Sequence, residues 1–294
     1  MQGLASGPRC ALIRPRSLQP PHSPQCGVRR KRSPLRLREV HETMTQALHL
    51  ALLGAMPEEI GSDLSHLKDL TCSDHGDLTI HRGSWGDDVR ISLAWSGWGK
   101  VSAARAATRL LASDPSIDLL VFTGVAGAAD PALRQWDVVL ADAVVQHDMD
   151  ARPLFPRFTL PALNQAQLQP QPPWFDWAKT ALMEAHSSGE LDGFAQPSSG
   201  LIATGDRFIG DPAVLQALRD ALPNLRAVEM EGAAVAQVAE QEGIPWLVLR
   251  VISDGADEAA AENFEDFVKR YEQQAWRLIE ALLQRCKTTP KMRE

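Results

Sequence analysis

The chain has little of what builds metal centres, disulfide frameworks or membrane spans. Its four cysteines, Cys10, Cys26, Cys72 and Cys286, share no metal-ligand spacing. Cysteines scattered in this way imply a reducing compartment, so a cytoplasmic location is expected. None of the eight histidines falls into a zinc pattern. No apolar run approaches the roughly 18 residues needed to cross a bilayer, so no membrane partner is expected. The net charge of -7 argues against a nucleic-acid surface as the main role of the chain. The glycine-containing loops carry no Walker lysine, and GVAGAAD at residues 124–130 lacks the third glycine of the dinucleotide fingerprint. No metal and no cofactor are therefore expected.

What is present divides the 294 residues unevenly. Residues 1–43 are rich in Arg and Pro, include the run Arg29-Arg30-Lys31-Arg32, and hold only Glu39 and Glu42 as acids. A transit peptide, a basic nucleic-acid-binding arm and an extension without function all fit such a composition. Prolines at 15, 20, 21, 24 and 34 would break any helix or sheet, so a disordered extension is the reading adopted. Residues 44–294 then form a single domain of ordinary size.

From Leu48 the pattern changes to short apolar runs alternating with amphipathic ones. LHLALLGAM, IDLLVFTGVAGAAD, WDVVLADAVVQ, GLIATGD and IPWLVLRVISDGAD read as buried strands, and DLTIHRG and DVRISLAWSG as two more. TGVAGAAD is expected to open into a loop. VSAARAATRLLAS, WFDWAKTALMEAH, PAVLQALRDAL, the segment after AVEME, and the stretch from Phe264 to Cys286 read as helices. PEEIGSDLSHL, with Pro57 suited to a first turn, reads as a further helix. The Pro-rich stretch from Asp148 to Pro173 is expected to be a functional loop. Apolar strands alternating with helices predict an α/β fold, a three-layer sandwich with a central twisted mixed β-sheet flanked by helices.

Ligands of such sheets sit beyond the strand ends. The polar residues there are Glu58, Glu59, Thr123, His147, Asp148, Asp206, Glu229, Glu231, Ser253 and Asp254. Glu59, Glu231 and Asp254 each follow a buried strand. Three acids without metal-binding histidines suggest acid/base work on a polar organic substrate. Each alone also fits a solvated charge or a helix cap. Residue chemistry by itself does not supply the substrate.

GAMPEEI (54–60), SGWGKVSAA (96–104), TGVAG (123–127), QHDMD (146–150), TGDRFI (204–209), AVEMEGAAVA (227–236) and RVISDGAD (250–257) stand in the order seen in bacterial methylthioadenosine/S-adenosylhomocysteine nucleosidases. The chain resembles that family from about Leu48 to Arg285. The resemblance implies a nucleoside phosphorylase-like fold and hydrolysis of an adenine nucleoside by water. It implies Asp254 as the acid that protonates adenine N7, oriented by Ser253, and Glu59 as the base that activates water. Glu231 would accept hydrogen bonds from the ribose hydroxyls, Met230 would pack on the sugar, and Glu229 and Arg250 would belong to the same clamp. Phe208 would stack on the purine while the Ile209 backbone reads its edge. Met230 and Phe208 also fit plain core positions.

Val125 stands where many relatives carry Ser, and Trp98 where a smaller aliphatic residue is common, facing the 5′-substituent. The resemblance further implies a homodimer, with the stretch around Leu154, Phe155, Pro156 and Phe158 completing a neighbour's pocket. Alternatives are a 6-amino-6-deoxyfutalosine hydrolase, a phosphorylase of the same superfamily, and a non-catalytic nucleoside-binding relative. Phosphorolysis needs a cationic cradle for phosphate, and GAMPEEI offers two acids and no Arg.

Overall fold

The LHLALLG run forms the central strand β1 (Leu48–Gly54), and its side chains are buried on both faces. The computed structural model describes residues 47–257 and 260–290, so the extension expected over residues 1–43 lies outside the described residues. After β1 come β2 (Lys68–His75), β3 (Leu78–Trp85), β4 (Val89–Trp95), α1 (Lys100–Ser113), β5 (Leu119–Ala128) and β6 (Val138–Gln146). Then follow β7 (Gln167–Leu168), α2 (Pro172–Ser187), β8 (Ser198–Thr204), α3 (Pro212–Ala221), β9 (Leu225–Glu229), α4 (Gly232–Glu242), β10 (Trp246–Asp254) and α5 (Ala260–Leu283).

The strands build one mixed sheet. β1 pairs in parallel with β4 and β5, and β5 with β10. β2, β3 and β4 form an antiparallel wing. β10 also pairs antiparallel with β6, which leads through β8 and β9 back to β5. The strands β5, β10, β6, β8 and β9 thus close a ring beside an open wing. This closure was not visible in the sequence, because its pairings join distant segments.

Alternate residues of each central strand serve opposite layers. Leu50 and Leu52, with Leu247, Leu249 and Val251, pack against α2 and α5. Ala51 and Leu53, with Trp246, Val248 and Ile252, pack against α1 and α4. The three layers are those expected. Each fully buried large side chain stabilises the fold by roughly 1.5–3 kcal/mol, which is why unbroken apolar runs become central strands.

Two local expectations are corrected. Residues 57–67 do not form a helix beyond a single 3₁₀ turn, Pro57–Glu59. The N–H groups of Ile60 and Gly61 both return to the Pro57 carbonyl, and the Glu59 carboxylate folds back onto the amides of Ala55 and Met56. TGVAGA does not open into a loop. It stays in β5 because Gly124, Val125 and Ala126 pair with β10 while Gly127 and Ala128 pair with β9.

Candidate active site

The C-terminal ends of β1, β4, β8, β9 and β10 and the end of β5 meet around one cavity. A concave site at strand ends is where a sheet of this kind takes a small-molecule ligand. Of the residues singled out in the sequence, Glu59, Trp98, Val125, Phe208, Ile209, Glu229, Met230, Glu231, Ser253 and Asp254 all line it. Arg250 does not. It lies behind the wall, fully buried, with its guanidinium 4.2 Å above the Phe122 ring.

Glu59 is held by the turn that follows β1. Its Oε2 accepts N–H bonds from Ala55 at 2.6 Å and Met56 at 3.1 Å, and its Oε1 accepts one from Val125 at 3.0 Å. Burial pushes its pKa up, opposed by the charge of Arg250 and by these three amides. The approach of β5 to this carboxylate requires Gly124, since a Cβ there would lie 2.2 Å from Glu59 Oε1.

Asp254 ends β10 and lines the same cavity. Ser253 Oγ donates to its Oδ2 at 2.6 Å, and the Ala256 amide donates to its Oδ1 at 2.8 Å. Burial raises its pKa, against both hydrogen bonds. A buried carboxyl with a raised pKa holds its proton closer to neutral pH than an exposed one.

Glu229 and Glu231 flank the end of β9. Glu229 Oε2 takes the Arg250 guanidinium at 2.5 Å and the amides of Glu231 at 3.2 Å and Gly232 at 2.7 Å. Its other oxygen accepts from the Thr204 hydroxyl. Arg250 therefore pairs with Glu229, and through it fixes the backbone that carries Glu231. Glu231 Oε1 accepts only the Gly99 amide among the protein donors described, at 2.7 Å. Its pKa is pushed up to about 8, first by burial and then by the charges of Glu229 and Glu59.

Aromatic side chains frame the opening. Trp98 is 54% exposed, with its ring edge-on to Phe264 at 6.0 Å, and Phe264 stands edge-on to Phe208 at the same spacing. Sequence reasoning missed Phe264 as a site residue. It shares the apolar spacing of α5 with Phe267 and Tyr271, and nothing in that spacing separates a cavity wall from core. Arg207 was also missed; it is the one cation on a wall that carries four carboxylates. Among the described residues no cluster of His, Cys, Asp and Glu could hold a metal ion.

A cavity lined by four buried carboxyl groups, with an aromatic rim, can protonate one part of a polar ligand and deprotonate water at another. The family model described as the phosphorylase superfamily matches residues 49–284. A 5′-methylthioadenosine/S-adenosylhomocysteine nucleosidase of Geobacillus thermodenitrificans is 37% identical over 236 residues, 79% of this chain and 95% of that protein.

The chain belongs to the phosphorylase superfamily, in its 5′-methylthioadenosine/S-adenosylhomocysteine nucleosidase branch.

Solved structures agree. The nucleosidase of that name from Colwellia psychrerythraea, in complex with adenine, is 31% identical with a TM-score of 0.74, covering 82% of this chain and 96% of that one. A futalosine hydrolase of Helicobacter pylori is 29% identical with a TM-score of 0.73, covering 81% and 98%. The matched span begins after the basic extension, at residue 49.

Proposed function

We propose that this site hydrolyses the N-glycosidic bond of 5′-methylthioadenosine and S-adenosylhomocysteine, with Asp254 as the acid and Glu59 as the base. The observation that carries the roles is the convergence of two buried carboxyl groups on one cavity, both with raised pKa values. As the bond from ribose C1′ to adenine N9 breaks, its electron pair leaves with the base. Asp254 gives its proton to N7, so adenine departs neutral. The sugar becomes oxocarbenium-like, and a modest nucleophile suffices to capture it. Water bonds to C1′ and passes a proton to Glu59. The products are adenine and the thio-ribose, and exchange with solvent restores both carboxyl groups.

Glu231 accepts hydrogen bonds from the 2′- and 3′-hydroxyls, Met230 packs on the sugar, and Phe208 stacks on the purine beside the Ile209 backbone. Phosphate is disfavoured as the nucleophile, because Glu59, which is ionised to act as the base, would repel it at the position of the attacking water. The deciding experiment incubates the protein with methylthioadenosine with and without phosphate. Adenine and a free reducing sugar in both cases support hydrolysis; phosphate dependence and a ribose 1-phosphate product would refute it. The likeness to a futalosine hydrolase favours 6-amino-6-deoxyfutalosine as a second substrate, scored in the same assay.

The active unit in this reading is a homodimer in the cytoplasm. Leu154, 84% exposed on the loop after β6, offers apolar surface to a second copy. An active monomer in light scattering at assay concentration would refute the dimer. No described helix is long and apolar enough to cross a membrane. Residues 1–43 are dispensable in this reading, since the family match starts beyond them; a chain beginning at Met44 is expected to keep full turnover.

A further inference from the structure

Two strand-end acids, Asp148 and Asp206, do not line the cavity, and no step above uses them. With Lys100 they close a ring of three contacts. Lys100 Nζ donates to Asp148 Oδ1 at 2.6 Å. The Asp206 amide donates to Asp148 Oδ2 at 3.0 Å. The Lys100 amide donates to Asp206 Oδ1 at 2.7 Å. The ring ties together the loops that follow β4, β6 and β8.

Gly99 sits beside this ring. It has φ 88°, and a Cβ on it would lie 3.0 Å from Asp206 Oδ1, so the loop passes close to the carboxylate and favours glycine. The Gly99 amide is the one that donates to Glu231 Oε1 at 2.7 Å. Successive amides at the start of α1 are thus divided between two carboxylates. Lys100 N–H goes to Asp206 and Gly99 N–H goes to Glu231. Turning the loop to satisfy one amide would move the other.

We propose that Asp206, braced by Asp148 and Lys100, is a positioning residue that aims Glu231 at the ribose hydroxyls. The proposal rests on the reading of Glu231 as the ribose clamp. A plain helix cap would stabilise α1 and leave sugar recognition alone. A positioning residue acts on the sugar through Glu231 and does not act on the base. Loss of Asp206 frees residues 97–100 to rotate, and the Gly99 amide leaves Glu231 without its fixed donor.

The test measures kcat and KM for methylthioadenosine, and Kd for free adenine, in the wild type, Asp206→Ala, Asp206→Asn, Glu231→Gln and the Asp206→Ala/Glu231→Gln double variant. Asp206→Ala is expected to raise KM about tenfold, the size of one charge-assisted hydrogen bond. Adenine, which has no sugar, is expected to bind within about twofold of wild type. Asp206→Asn keeps an oxygen acceptor for the Lys100 amide and is expected to restore most of the loss. In the Glu231→Gln background Asp206→Ala is expected to add less than about twofold, because residues that act as one unit are not additive. Equal losses in both backgrounds, equally weakened adenine, or a wild-type KM in Asp206→Ala would each overturn the proposal. If Asp206→Ala does not fold, Asp148→Asn runs the same cycle. It loosens Lys100 and is expected to cost up to about fivefold in KM, as for a partly exposed ion pair, with no added effect beside Glu231→Gln. A wild-type protein that releases no adenine from methylthioadenosine would instead refute the nucleosidase reading, a separate result.

Discussion

Arg250 and Glu229 meet at 2.5 Å with their side chains 1% and 3% exposed. Neither side chain has solvent to replace the other as a partner. Removing one partner of a buried pair leaves a lone charge and typically destabilises by about 3–5 kcal/mol. Arg250→Met is therefore expected to lower unfolding stability by about that much in denaturant titrations. The double variant Arg250→Met/Glu229→Gln, which removes both charges of the pair, is expected to recover part of it. A single variant within about 1 kcal/mol of wild type would show that the pair is not structural.

The acid and base are separable by pH. As the proposed acid, Asp254 would act when protonated, and its pKa is raised by burial. Activity is therefore lost on the alkaline side, above the ordinary carboxylate range. As the proposed base, Glu59 would act when ionised, and its pKa is also raised by burial, so activity is expected to fall on the acid side as it takes up a proton. Asp254→Asn and Glu59→Gln are each expected to lower turnover by a factor on the order of 100 to 10,000, the usual weight of a positioned proton-transfer group. Both are nearly isosteric, so melting temperatures should stay near wild type. Either variant turning over methylthioadenosine at a near-normal rate would remove that residue from the mechanism.

Glu231 links the site to stability. Its pKa rises from 4.5 to about 8, chiefly through burial. The folded state then holds a proton that the unfolded state releases. The associated stability is fully present below about pH 4.5 and is lost as pH rises through about 8. Glu231→Gln cannot ionise and escapes this loss. Relative to wild type, its melting temperature is expected to climb between pH 5 and 8 and then level off. A difference that stays flat with pH would mean that Glu231 is ionised throughout.

Burial decided how much of this was legible in the sequence. β1, β5 and β10 were readable because strands covered on both faces are continuous apolar runs. β2 was not anticipated: KDLTCSDH lies on an exposed edge and carries neither an apolar run nor alternation. The acids of the site could be found because each lies at or just beyond the end of a buried strand, and the resemblance supplied their roles. The partners of those acids could not be found. That Arg250 takes Glu229 rather than Glu231, and that Gly99 supplies the amide to Glu231, depend on how strand ends converge in the ring. Phe264 was hidden for a similar reason, since one end of α5 leaves the core and reaches the cavity.

Trp98 should narrow the substrate range on the 5′ side. Its indole does not pack into the helix layer. It lines the cavity, is 54% exposed, and stands against Phe264 at the rim. A large apolar ring there favours a compact apolar group such as methylthio by burying its surface. One methylene or methyl in such a pocket is worth about 1–3 kcal/mol in discrimination. The homocysteine moiety is longer and zwitterionic, so it has to pass the indole to reach water or lose affinity. Trp98→Ile opens that passage and removes apolar contact at once. It is expected to lower kcat/KM for methylthioadenosine and raise it for S-adenosylhomocysteine, moving the ratio of the two by about fivefold or more. The measurement is kcat/KM for both substrates in wild type and variant under one set of conditions. A ratio that moves by less than about twofold, against the range expected for such a contact, would leave Trp98 as rim packing on Phe264 with no part in selecting the 5′-substituent.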